Sequence, residues 1–413
     1  MTDLLRLATA GSVDDGKSTL IGRLLYDAKA ILADQMEHVE EVSKRRGSDV
    51  PDLALLTDGL RAEREQGITI DVAYRYFATP KRKFILADTP GHVQYTRNMV
   101  TGASTADLAI VLVDARHGVV EQTRRHAFLA SLLGIRHLVL AVNKMDLVDW
   151  EQATYDRVVA DFGALAEQLR VPDVVAIPMS ALLGDNIVDR SANLSWYDGP
   201  ALLEHLEAVE VHEEIALEGA RFPVQYVIRD QATDYRGYAG QVAGGVLRVG
   251  DAVQVLPGGR TTTVAAIDTF EGEIVAAPAG QSVTVRLADD IDVARGDLLA
   301  AGPAPLASRE LTAEVCWMAE APLRAGGRYA LKAATSSVRA IVDEVSDRLD
   351  VANLTAFPGP AELALNDIGR VRLRVSRELA VDPYAVNRAT GSFILVDEAS
   401  NETVGAGMVL APT

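Results

Sequence analysis

The chain has 413 residues, of which 48% are hydrophobic, and 58 acidic against 40 basic residues give a net charge of −18. This length predicts roughly two to four domains. No apolar run approaches the roughly 20 residues of a membrane span, and the N-terminus lacks the basic start of a signal peptide. The acidic balance argues against non-specific nucleic-acid binding, although an acidic chain can carry a local basic patch. The single cysteine, Cys316, excludes internal disulfides and predicts a cytoplasmic protein with this residue in the core.

Residues 1 to about 210 alternate short apolar runs with helix-like stretches. The runs are rich in Val, Ile and Leu and nearly continuous, which is typical of strands covered on both faces. They span residues 4–10, 68–77, 83–88, 107–114, 137–143 and 174–179. This alternation predicts an α/β domain with a mostly parallel, doubly wound sheet.

The pattern changes after Glu214, where short alternating strands are broken by Gly, Pro and Asp. Such strands predict small all-β barrels. A polar, proline-containing stretch at 302–310 marks a second boundary. We therefore expect three domains: an α/β domain at 1–214, a β-barrel at 215–306 and a second β-barrel at 307–413.

A glycine-rich phosphate-binding loop follows the first strand and matches G-x-x-x-x-G-K-[ST]. Its backbone N–H groups and the next helix N-terminus would surround phosphate oxygens. We expect Lys17 to reach the β- and γ-phosphates and the hydroxyl of Ser18 to bind Mg²⁺. The predicted nucleotide-binding residues of this loop are Gly11, Ser12, Val13, Asp14, Asp15, Gly16, Lys17, Ser18 and Thr19.

The segment Asn143-Lys144-Met145-Asp146 identifies the base as guanine. The carboxylate of Asp146 can accept two hydrogen bonds from the N1–H and N2–H₂ edge of guanine, and adenine offers no such pair. Asn143 could bond the base and the P-loop, and the Lys144 stem could cover one face of the base. The tripeptide Ser180, Ala181 and Leu182 follows the next strand, where a backbone N–H could contact the guanine O6.

The segment Asp88-Thr-Pro-Gly91-His92 follows another strand. Asp88 could hold Mg²⁺ through a water, and the N–H of Gly91 could approach the γ-phosphate. His92 could position the attacking water. Upstream, Thr69 lies in the segment 67–70 and could bind Mg²⁺ and the γ-phosphate. The predicted catalytic residues are therefore Lys17, Thr69, Gly91 and His92, and the predicted Mg²⁺ ligands are Ser18, Thr69 and Asp88.

These segments, followed by two β-domains, resemble translational GTPases of the elongation factor Tu type over essentially the whole chain. The resemblance is especially close at residues 88–104, DTPGHVQYTRNMVTGAS. It implies a GTPase domain followed by two β-barrels, whose packing changes with the nucleotide state. It also implies that Val13 and Ile68 form an apolar gate beside His92.

Further stretches resemble the GTPase subunit of sulfate adenylyltransferase instead. They are NLSWYDGPALLEHLE, VCWMAEAPLRAGGRYALK, LNDIGRVRLRVSREL and GSFILVDEASNETVGAGM, together with the beginning of the second domain. This family implies that GTP hydrolysis drives AMP transfer from ATP to sulfate, giving adenosine 5′-phosphosulfate and pyrophosphate. The adenylyl chemistry would lie in a separate smaller subunit, in a heterodimer or a higher assembly.

Two alternatives remain open from the residues. The first is an elongation factor-like GTPase that delivers aminoacyl-tRNA, and tight, salt-sensitive RNA binding would identify it. The second is a regulatory GTPase that only binds a protein partner. Some relatives carry a fused adenylylsulfate kinase at the C-terminus, and this chain has no second G-x-x-x-x-G-K-[ST], so we expect no such kinase in it.

Overall fold

A computed structural model describes residues 3–29, 33–45, 51, 53–56, 69, 71–92, 95–211, 218–230, 232, 235–350 and 355–412. The described chain divides into two compact units, the first ending at Val211. The predicted domain boundaries at 214/215 and 306/307 stay predictions. Of the upstream segment at 67–70, only Thr69 is described.

The first unit contains a six-stranded, mostly parallel sheet, as predicted. Its order is β2-β3-β1-β4-β5-β6, and only the edge pair β2–β3 is antiparallel. The strands are β1 Asp3–Ala10, β2 Ala73–Ala78, β3 Arg82–Asp88, β4 Leu108–Asp114, β5 His137–Asn143 and β6 Asp173–Pro178. Within the run predicted at 68–77, the described strand begins at Ala73. Before it, the Asp71 carboxylate accepts the N–H of Val72, which a strand ladder would otherwise use.

Six described helices accompany this sheet: α1 Lys17–Asp27, α2 Ala33–Arg45, α3 Thr96–Ala103, α4 Glu121–Leu132, α5 Gln152–Gln168 and α6 Leu202–Ala208. Short 3-10 turns lie at Leu53–Leu56, Met145–Val148 and Ala192–Leu194. Strand β4 is buried at every residue, as expected for a central strand covered on both faces. Leu20 and Leu24 of α1 pack in the same apolar core as Leu5 and Leu7 of β1, so the helix that follows the phosphate-binding loop is firmly held.

The second unit contains two closed β-barrels, as predicted. The strands of the first part are β7 Arg221–Asp230, β8 Tyr235–Gln241, β9 Val246–Arg248, β10 Ala252–Leu256, β11 Arg260–Thr269, β12 Gly272–Ile274, β13 Ala276–Pro278, β14 Ser282–Leu287 and β15 Leu298–Ala301. The order β10-β15-β7-β8-β14-β11 is closed by pairing of β10 with β11, and β12 attaches to β11. Closure leaves no free edge in the ring of six strands.

The second barrel repeats this arrangement. Its strands are β16 Ala307–Trp317, β17 Leu323–Arg324, β18 Arg328–Ala333, β19 Ser336–Asp350, β20 Thr355–Pro358, β21 Glu362–Leu363, β22 Ile368–Ala380, β23 Ser392–Val396 and β24 Thr403–Pro412. The order β18-β23-β24-β16-β22-β19 is closed by pairing of β18 with β19. Cys316 is buried here, as its neighbours Val315 and Trp317 predict.

A buried ion pair joins the two barrels. Arg221 of β7 donates from Nε to Asp382 at 3.0 Å, and both side chains are buried. Thr390 donates its hydroxyl to the same carboxylate at 2.7 Å, and Arg221 also donates to the carbonyl of Pro303 at 2.6 Å. These bonds satisfy two charges that burial would otherwise make costly.

Candidate functional site

Four of the predicted segments meet at one edge of the parallel sheet. The phosphate-binding loop follows β1, Asp88 ends β3, Asn143 ends β5, and Ser180 lies two residues after β6. Parallel strands place their carboxyl ends together, which is where α/β sheets bind ligands. The structure thus brings these segments to one site, and the roles predicted for their residues remain predictions.

The phosphate-binding loop depends on glycine at position 16. Gly16 has a φ of 93°, and a Cβ there would lie 2.5 Å from Nδ2 of Asn143. Helix α1 begins at the next residue, so the free N–H groups of its first turn point toward the loop. The hydroxyl of Ser12 is buried, and the described residues offer it no hydrogen-bond partner. Backbone donors and this hydroxyl suit phosphate oxygens.

The side chain of Asp15 forms a hydrogen bond within the phosphate-binding loop. Its carboxylate accepts the N–H of Ser12 at 2.7 Å. Burial raises the pKa of the Asp15 carboxyl, as does the nearby charge of Asp114, while the Ser12 N–H and Lys144 act in the opposite direction. The phosphate-binding loop therefore contains a carboxyl group whose negative charge is disfavoured by burial and partly stabilised by the Ser12 N–H and by Lys144.

The ammonium group of Lys17 contacts two of the predicted site residues, Asp88 and Thr69. Its Nζ donates to Asp88 Oδ1 at 2.7 Å and to Thr69 Oγ1 at 2.8 Å, and it also donates to the carbonyl of Thr89. Lys17 and Asp88 are both buried. The carboxylate of Asp88 and the hydroxyl of Thr69 therefore converge on a single cation.

Gly91 packs directly against the phosphate-binding loop. A Cβ at Gly91 would lie 2.1 Å from the carbonyl oxygen of Gly11, so only glycine fits. The side chain of His92 is exposed, and its ring centroid lies 6.1 Å from that of Tyr95. Val13 is exposed as well, whereas Ile68, its partner in the predicted gate, lies outside the described residues.

Asn143 joins residues 143–146, the predicted guanine segment, to the loops on either side. Its Nδ2 donates to the carbonyl of Asp15 at 2.8 Å, and its Oδ1 accepts the N–H of Ala181 at 2.9 Å. The N–H of Ala181 is thus already paired within the protein. Asp146 lies half-buried in the 3-10 turn that follows, and Ser180 Oγ accepts the N–H of Leu183 at 3.2 Å.

Two pairs of residues at this edge were not predicted from the sequence. Asp114 ends β4, and Arg116 donates to it from Nη2 at 2.6 Å. The position of Asp114 at the end of an apolar strand, like that of Asp88, could have identified it. Gln122 and His126 lie on α4, and Gln122 donates to the carbonyl of Gly91 at 2.6 Å. No short motif signals that helix contact.

His126 is held neutral at this site. Its side chain is buried, and its Nε2 lies 3.1 Å from Nε2 of Gln122. Burial lowers the pKa of His126 to about 3, with further lowering by the positive charges of Lys17 and Arg125. Because the imidazole of His126 is neutral, it does not repel the ammonium group of Lys17.

Within the described ranges, no helix is long and apolar enough to cross a membrane. Among the same residues, no three His, Cys, Asp or Glu side chains form a cluster that could hold a metal ion.

Comparisons with known proteins agree with this geometry. Residues 2–217 match the family model described as the elongation factor Tu GTP binding domain, and residues 310–410 match the GTP-eEF1A C-terminal domain-like family. The first match means that the chain carries a GTP-binding domain.

Among the curated relatives, sulfate adenylyltransferase subunit 1 of Laribacter hongkongensis is 53% identical over 98% of this chain and 85% of its own length. The same subunit of Aeromonas hydrophila is 53% identical over 98% of this chain and 86% of its own length. A protein named bifunctional enzyme CysN/CysC from Mycobacterium tuberculosis is 60% identical over 99% of this chain and 68% of its own length. The chain belongs to the family of sulfate adenylyltransferase subunit 1, the GTPase subunit of that enzyme.

Proposed function

We propose that this chain hydrolyses GTP at the carboxyl edge of its parallel sheet and that hydrolysis drives AMP transfer from ATP to sulfate. The products of the driven reaction are adenosine 5′-phosphosulfate and pyrophosphate, and the adenylyl chemistry lies in a separate smaller subunit. The observation that carries the proposal is the convergence of Lys17, Asp88 and Thr69 beside the guanine segment, in a chain with these relatives.

The nucleotide is held by backbone donors and a few charges. The amides of the loop 11–19 and the ammonium of Lys17 bind the phosphates, and the hydroxyl of Ser12 faces them. Asp146 selects guanine by accepting two hydrogen bonds from its edge. Asn143 holds the guanine segment against the phosphate-binding loop by donating a hydrogen bond to the carbonyl of Asp15.

Hydrolysis requires a water placed in line with the γ-phosphate. Gly91 lies against Gly11, so its N–H is close to where the γ-phosphate binds. His92 follows it directly and positions the attacking water. Since phosphoryl transfer depends mainly on position and charge, these residues and Lys17 can supply the catalysis.

Mg²⁺ fits the oxygen atoms that this site presents. Asp88 and Thr69 already converge on the ammonium of Lys17, and a carboxylate and a hydroxyl are oxygen ligands of the kind Mg²⁺ prefers. Ser18, next to Lys17 in the first turn of α1, adds a second hydroxyl. When bound, the ion neutralises charge on the β- and γ-phosphates.

Coupling needs two nucleotide states that differ in their free energy of binding to the other subunit. The name of the relatives, subunit 1, implies at least one other subunit. We propose that this other subunit is the smaller, catalytic one, forming a heterodimer or a higher assembly in the cytoplasm. ATP and sulfate are the substrates of the complex.

The test measures pyrophosphate release from ATP and sulfate by this chain, by the smaller subunit and by the mixture. Each is assayed with GTP, with GDP and with a non-hydrolysable GTP analogue. We expect strong release only from the mixture with GTP. Release by the small subunit alone at the same rate would contradict the proposal, as would full release with the analogue.

A further inference from the structure

Asp114 connects the guanine segment to the rest of the sheet edge. It is the last residue of β4, and its side chain is 2% exposed. Arg116 donates to both of its oxygens, from Nε at 3.0 Å and from Nη2 at 2.6 Å. On the other side, Nζ of Lys144 lies 2.9 Å from Oδ2 of Asp114. One buried carboxylate thus holds two cations, with the ring of His117 at 3.8 Å.

Lys144 links Asp114 to the phosphate-binding loop. The same ammonium group donates to the backbone carbonyl of Asp14. Lys144 has a φ of 63°, a left-handed conformation that a lysine rarely adopts. Its neighbour Asn143 bonds Asp15 and Ala181. The side chain of Lys144 is therefore held at its tip by Asp114 and the loop, and at its base by a restricted backbone.

We propose that Asp114 is a positioning residue for guanine-nucleotide binding, which acts by holding Lys144 against the phosphate-binding loop and alongside the base site. The inference rests on the proposed function, because it places guanine at this edge. It adds a residue from β4, a strand that none of the predicted nucleotide segments follows.

The charges around Lys144 support a positioning role. Arg116 and Lys144 together hold the pKa of Asp114 well below its usual range, so the carboxylate stays charged under all ordinary conditions. Without that charge, the partners of the Lys144 ammonium among the described residues are the backbone carbonyl of Asp14 and the nearby Asp15 carboxyl, which burial drives toward its neutral form. Lys144 would then leave the loop more often, and the base would lose the cover of its stem.

The experiment measures dissociation of a fluorescent GDP analogue from the full chain, in the wild type, in Asp114→Asn, in Lys144→Ala and in the double variant. Each single change should speed dissociation roughly 10- to 100-fold, as expected for loss of a charge-assisted hydrogen bond. The double variant should be no faster than the faster single variant, because both changes break one interaction. Independent, multiplying effects would overturn the proposal.

Arg116→Ala separates the two partners of Asp114. Arg116 is 43% exposed, so this variant should fold, and it leaves Lys144 as the main partner of the carboxylate. Dissociation should stay within roughly threefold of the wild type, whereas acceleration as large as that of Lys144→Ala would overturn the proposal. This variant keeps the proposal open to refutation even where Asp114→Asn does not fold.

Asp173→Asn is a control with the same chemical change at a more exposed aspartate. Asp173 is the first residue of β6, so it lies at the amino ends of the parallel strands, whereas the nucleotide site lies at their carboxyl ends. Its Oδ2 is 2.7 Å from Nδ1 of His137. Its loss should leave dissociation unchanged. For Asp114→Asn we also expect the half-saturating GTP concentration to rise while turnover at saturation stays near the wild-type rate. Absence of GDP binding by the wild type would refute the proposed function, whereas wild-type dissociation from Asp114→Asn would refute only the role of Asp114.

Discussion

The neutral, buried His126 predicts a specific loss of stability in acid. Its side chain is 1% exposed and lies between Gln122 and the positive charge of Lys17. Burial, which is the largest cause, lowers its pKa to about 3. In the unfolded chain the imidazole would titrate near pH 6.5.

The direction in which pH changes the free energy of unfolding follows from proton uptake at His126. Between about pH 3 and 6.5 the unfolded state binds a proton at His126 that the folded state does not. The stabilisation is fully present above pH 6.5 and is lost as the pH falls through this range. At about 1.4 kcal/mol per pH unit, lowering the pH from 7 to 5 costs about 2 kcal/mol from this one residue.

Urea unfolding at pH 7 and pH 5 tests this, followed by tryptophan fluorescence. A Trp317→Phe background leaves Trp150 and Trp196, which both lie in the first unit. His126→Leu removes the titrating group, so its free energy of unfolding should fall by about 2 kcal/mol less than that of the parent. Phe162→Leu, another buried change in this unit, should lower stability equally at both pH values. Equal pH dependence of the parent and His126→Leu would refute the reasoning.

Three further changes test the nucleotide site. Asp146→Asn should weaken GTP binding roughly 100-fold and favour xanthosine triphosphate, measured by competition; unchanged GTP preference would remove Asp146 from its role. Gln122→Ala removes a hydrogen-bond donor to the carbonyl of Gly91 and should slow single-turnover hydrolysis about tenfold at unchanged GTP affinity, so a wild-type rate would make the contact structural. Gly91→Ala places a Cβ 2.1 Å from the carbonyl of Gly11 and should abolish most hydrolysis. The matched change Gly163→Ala, whose added Cβ meets nothing, should leave hydrolysis intact, and equal loss in both would contradict the packing argument.

The sequence predicts the fold well because its signals are local. Nearly continuous apolar runs such as 108–114 predict buried central strands, and short alternating runs broken by glycine predict the barrels. The start of β2 differs because Asp71 competes for a backbone N–H, which hydrophobic periodicity does not register. The motif residues meet at one edge because each follows a parallel strand.

The contacts that the sequence does not predict join residues far apart in the chain. Gln122 lies on a helix whose polar side chains follow no motif, and it donates a hydrogen bond to Gly91. Arg221 donates to Asp382, which lies 161 residues further along the chain. Lys144 was expected to cover the base, but its contact with Asp114 follows only from the pairing of β4 with β5, which places Asp114 opposite Asn143. Such pairs depend on tertiary packing, which local patterns do not encode.

The most direct test of the account follows phosphate release from GTP and pyrophosphate release from ATP in one reaction. The reaction contains this chain, the smaller subunit, ATP and sulfate, and it is repeated with His92→Ala. We predict that the variant binds GTP normally and that both releases fall together by a similar factor, because hydrolysis drives AMP transfer. Undiminished pyrophosphate release in the variant, with GTP hydrolysis lost, would contradict the central claim.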